Sequence, residues 1–154
     1  MKYVIKTLNN FNERVINYLI IILFLLAFFT ETYTGLIQIM GYKSFLLGGV
    51  FIFFGKYNIF GAWLSTLFFF CSFLLKENQT SLKLTLSGAC VVFALMALTV
   101  NEIPINEGLN NVPVKVGIGL YFWIITCVLL FIKYLKKDLE NKEYKKSKVF
   151  PYKK

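Results

Sequence analysis

Four uncharged apolar runs constrain this chain more than any other feature, because a charge-free stretch of that length has to be buried along its whole course. They cover 15–30, 59–75, 84–100 and 116–132. As helices they reach about 24 to 26 Å, close to the roughly 30 Å hydrocarbon core of a bilayer. A closed β-barrel also satisfies its backbone in lipid, but its strands alternate apolar and polar residues. ILFLLAFF and VVFALMAL do not alternate. Composition points the same way: 57% of the 154 residues are hydrophobic and 16% charged, against about 45 to 50% and 25% in a soluble domain.

The fold class expected is all-α: a polytopic membrane protein built as a four-helix transmembrane bundle. It forms one domain over 1–154, with spans at about 15–31, 58–75, 84–100 and 116–133 and a basic tail at 134–154. A fifth apolar run, 45–55, is eleven residues long, about 16 Å as a helix and too short to cross. It reads either as an N-terminal extension of the second span, with Lys56 reaching the interface, or as a short re-entrant or interfacial segment broken at Gly55 and Gly61.

Orientation follows from Lys and Arg near the span ends. With four spans, fourteen basic residues share the side of both termini, against Lys43, Lys56 and Lys115 on the other. Glu31, Glu102 and Glu107 cancel those three. The expected location is a bacterial cytoplasmic (inner) membrane with N- and C-termini cytoplasmic. Residues 1–14 are basic and lead into an apolar stretch, but no small-x-small cleavage site follows Ala27, so the first span reads as an uncleaved signal anchor.

Chemistry-bearing residues are scarce. There is no histidine, the commonest general base and metal ligand. The three cysteines, Cys71, Cys90 and Cys127, fall inside spans without CxxC spacing, so they read as small packing residues. No cofactor, metal or nucleic-acid partner is expected, and no enzyme activity. Glu31 closes the first span at its edge, where a carboxylate reaches water or serves a ligand. With Lys56, Trp63, Glu102 and Glu107 it forms the candidate ligand or partner contact, drawn from two outer segments, 31–43 and 101–115, and from the start of the second span. Pro104 and Pro113 make the second of these an ordered coil over the bundle. On the other side, Lys145, Lys146, Lys148, Lys153 and Lys154 suit anionic lipid headgroups. Asp138 and Lys142 are spaced for an i,i+4 pair on a helix leaving the fourth span.

The order of signals resembles a known group. The segment TGLIQIMGYKSFLLGG precedes a second span opening Phe60-Gly61-Ala62-Trp63-Leu64, and an Asn-Glu loop precedes a fourth span opening Gly119-Leu120-Tyr121-Phe122-Trp123. Over roughly 19–136 this looks like small four-span bacterial inner-membrane proteins that carry an AWL-type motif. Ser65-Thr66 departs from the Asn-Pro expected there. The resemblance implies architecture and bacterial origin, and no activity.

Two functions compete. One is a non-enzymatic interaction or accessory protein, of the kind that confers immunity to pore-forming toxins, with the bilayer and either a membrane-protein partner or further copies of itself as partners. The other is a small oligomeric transporter or channel using Glu31.

Overall fold

The computed structural model describes residues 12–52, 57–104 and 111–149. It is mostly helical, with one small curled sheet of four strands. The elements are α1 (Glu13–Phe29), β1 (Glu31–Gly35), β2 (Ile39–Met40), α2 (Gly41–Leu47) and a 3-10 segment, Gly48–Ile52. Then follow α3 (Tyr57–Leu74), α4 (Thr80–Met96), a 3-10 turn (Ala97–Thr99), β3 (Glu102–Pro104), β4 (Asn111–Val116) and α5 (Ile118–Val149).

Tyr57–Leu74, Thr80–Thr99 and Ile118–Lys142 are long and apolar enough to cross a bilayer. α1 has 17 residues and starts on the charged Glu13 and Arg14, with Asn12 capping the Arg14 N–H at 3.0 Å. α4 packs against both α3 and α5, and α1 packs against α5. Small or polar residues recur in their interior, with Ser65 and Ser72 of α3, Ser87, Cys90 and Ala94 of α4, and Thr126 and Cys127 of α5 buried beside larger side chains such as Ile20, Phe69, Leu120 and Leu130. Large apolar side chains such as Ile21, Ile22, Phe70, Phe73, Val92 and Ile125 are exposed. Small residues at the helix contacts and exposed large apolar ones outside them suit lipid, where close approach of helices replaces the hydrophobic drive between them. The buried hydroxyls bond back along their own helices, as Ser72 Oγ does to Phe69 O at 2.7 Å. Aromatic side chains then bridge α5 to α3. Trp123 Nε1 donates to Ser65 Oγ at 2.9 Å, and the Tyr134 hydroxyl to Ser72 O at 3.3 Å.

The sheet corrects the all-α expectation. Its order is β2-β1-β4-β3, antiparallel throughout, and it joins the two outer segments, so 101–115 contributes strands where coil was expected. The prolines are tolerated for a reason of register. Val114 N–H donates to Asn101 O at 2.8 Å, and by the alternation of an antiparallel ladder the 102–113 and 104–111 pairs are then non-hydrogen-bonded. β1 meets β4 only from Val114 onward, so neither Pro104 nor Pro113 removes a ladder bond.

The 45–55 run is settled over its described part. As an extension of α3 it would hold Phe45 and Trp63 about 27 Å apart; instead Trp63 Nε1 donates to Phe45 O at 2.7 Å. The chain folds back alongside α3 as a short helix and a 3-10 segment. Gly55 lies outside the described residues, and Gly61 does not break α3 but sits buried within it, against Met96 and Phe93 of α4. The return is tight at Gly41, whose N–H donates to Thr30 O at 2.9 Å and where a Cβ would overlap the Ala27 carbonyl.

At the opposite end α5 runs on past the bundle and docks on the α3–α4 turn. Lys137 pairs with Glu77, and Asn141 Nδ2 donates to Thr80 Oγ1 at 3.2 Å. The Lys137 ammonium, first by its hydrogen bond and then by its charge, holds the Glu77 carboxyl below its usual range. Asp138, 5% exposed, takes the i,i+4 pair with Lys142 at 2.6 Å.

Candidate functional site

Beneath the sheet, where α2 folds back on α3, lies a cavity of about 440 Å³. Each wall has a separate origin in the chain. β1 supplies Thr32 and Tyr33, α2 supplies Phe45, α3 supplies Ile59, Ala62, Trp63 and Thr66, β3 supplies Ile103, and α5 supplies Leu120 and Trp123. Phe45 meets Trp123 edge to face at 4.9 Å between ring centres, and Trp123 in turn packs on Phe69 at 5.0 Å. The Trp63 indole is clamped from α2 by the Phe45 carbonyl and lies against Gly48 and Gly49, where any Cβ would come within 2.9 Å of the ring.

Polar groups are few. The Tyr33 hydroxyl donates to Ala97 O at 3.0 Å, tying the sheet to the end of α4. Burial pushes its pKa above the usual tyrosine range, so it stays a protonated donor. Of the lining residues, Gln38, Lys43 and Leu47 reach the surface, so the mouth lies beside α2 and carries one ammonium group. A concave, mainly apolar space with a few polar groups is the usual form of a small-molecule site. Among the described residues no group of three His, Cys, Asp or Glu converges to hold a metal ion.

The residues singled out from sequence separate here. Trp63 is in the cavity wall. Glu31 begins β1, paired with Met40, one residue beyond the α1 cap, and so is not in the last turn of a span. Glu102 is exposed on β3, paired with Pro113. Neither lines the cavity, and among the described residues neither makes an ion pair with Lys43 or Lys115. Lys56, Glu107, Lys153 and Lys154 lie outside the described residues, while Lys145, Lys146 and Lys148 fall on the last turns of α5. Sequence reasoning missed Tyr33, Phe45 and Ile103 as wall residues. One signal was available: Val112, Val114 and Val116 alternate as a strand with one buried face does.

No family model, curated protein or solved structure matches the chain.

Proposed function

We propose that this is a four-span integral protein of a bacterial cytoplasmic membrane, with both termini cytoplasmic, that works by binding and not by catalysis. On this reading α1, the first span, also crosses, beside α5, and the Lys-rich end of α5 lies at the cytoplasmic headgroups. The protein is an interaction or accessory protein, immunity-type in kind, that recognises another membrane protein through its outward end. The observation that carries this is the joining of both outer segments into one sheet over the bundle. A built, ordered outer face is what a recognition surface requires, and solvated loops would not supply it. The transporter reading loses support, since Glu31 stands in β1 beyond the end of α1, whereas a coupling carboxylate belongs near midplane.

The test is affinity purification of a C-terminally tagged protein from native membranes in mild detergent, with mass determination of the complex. A stoichiometric hetero-partner is expected, lost when the β3–β4 hairpin is replaced by a short Gly-Ser link. A homo-oligomer alone would overturn the reading.

A further inference from the structure

We propose that the cavity beneath the sheet holds one acyl chain of an anionic bilayer lipid, with the lipid's headgroup at Lys43. The inference rests on the membrane reading above but not on a protein partner. The size fits, since sites for small ligands occupy about 300 to 1,000 Å³ and this cavity measures about 440 Å³. Its walls are mainly aliphatic and aromatic, with Thr32 and Thr66 among them, which suits a hydrocarbon chain.

The route in is apolar too. Leu47 lines the mouth and is 56% exposed, and Leu46 beside it is 73% exposed, so a chain can pass from lipid into the cavity without meeting a polar barrier. Depth agrees, because Trp63 lies six residues inside α3, about 9 Å below its start. The occupant's charge follows from the rim. Lys43 is the one charged residue among the described lining, which also includes Ser44 and Gln38. An ammonium at the rim favours a head with net negative charge over a zwitterionic one, whose own cation it repels.

The chain carries its own reporters, because its two tryptophans, Trp63 and Trp123, both line the cavity. The full-length protein is placed in phosphatidylcholine nanodiscs containing a fixed minor fraction of phosphatidylglycerol with dibrominated acyl chains. Tryptophan quenching is compared with that from the same fraction of dibrominated phosphatidylcholine. Stronger quenching by the anionic lipid is expected. Lys43→Gln, an exposed change that gives up only a 6.0 Å approach of the ammonium to the Tyr42 ring, should cut that preference about fivefold, equivalent to the about 1 kcal/mol of one lysine at an anionic headgroup. Ala62→Phe, which fills the cavity, should reduce quenching by both lipids. Equal quenching by the two lipids, unchanged in both variants, would mean that only surrounding lipid is sensed and would overturn the proposal. So would loss of a co-purifying protein in Lys43→Gln without change in quenching, which would make the occupant a partner's segment. Lipid preference without any partner would instead sink the interaction reading and leave this one standing.

Discussion

Replacing Ser65 with alanine tests whether the bundle is held across α3 and α5 by a buried polar link. Ser65 is 0% exposed and Trp123 5%. The indole N–H donates to Ser65 Oγ at 2.9 Å, and that hydroxyl donates to Ala62 O at 2.6 Å. Alanine removes one oxygen and leaves the indole N–H buried without an acceptor, which costs about 1 to 3 kcal/mol in proteins generally. Hydrogen bonds between membrane helices run lower, near 0.6 and up to about 1.7 kcal/mol. Complete burial places this one toward the upper end, at about 1.5 kcal/mol. In a Trp123→Phe background the donor is gone, so the same substitution should cost well under half as much. The assay is titration with sodium dodecyl sulfate from maltoside micelles, followed by far-ultraviolet circular dichroism because Trp123→Phe alters the fluorescence. A change below about 0.3 kcal/mol, the limit within which independent sites add, would refute the argument. An equal cost in both backgrounds would do the same.

Three further outcomes follow from the same packing. Gly48→Val drives a branched side chain into the Trp63 indole, since a Cβ there would sit 2.8 Å from Cδ1; overpacking of this kind costs about 1 to 3 kcal/mol and should shift the tryptophan emission. Cys71 is exposed whereas Cys90 and Cys127 are buried side by side with sulfurs 3.0 Å apart, so a membrane-permeable maleimide should label one cysteine in the folded protein and three after denaturation. Glu77, whose folded pKa is lowered by Lys137, contributes stability above its unfolded pKa and loses it as pH falls through the lower folded value. Unfolding followed as the pH is lowered through and below the usual carboxylate range should therefore show a slope that Lys137→Gln diminishes.

The membrane character of the chain was legible in its residues because it rests on local quantities. Three of the four apolar runs became helices long and apolar enough to cross a bilayer, since in lipid a helix is the one open structure that satisfies its own backbone. The Asp138–Lys142 pair was equally local, fixed by a spacing of four along one helix. Which cysteines are buried was not local in this way: Cys90 and Cys127 pack inside the bundle as expected of small apolar residues, whereas Cys71, in an equally apolar run, is exposed.

What the sequence could not settle is every feature that depends on which distant segments meet. β1 and β4 are separated by some eighty residues and find each other only because helix ends bring them to one end of the bundle. Pro113 looks like a strand breaker until the register places it at a non-hydrogen-bonded pair just past the end of β1. Glu31 looked like the edge of a span, and pairing with Met40 made it part of a sheet. The cavity belongs to no segment at all. It exists because β1, α2, α3, β3 and α5 each present one or more side chains to a common volume. Period and charge decided which stretches form helices long and apolar enough to cross a bilayer, since those properties depend on each residue and its near neighbours. The sheet, the fold-back of α2 and the site between them were decided by tertiary structure, because contacts between remote residues leave little trace in a one-dimensional pattern.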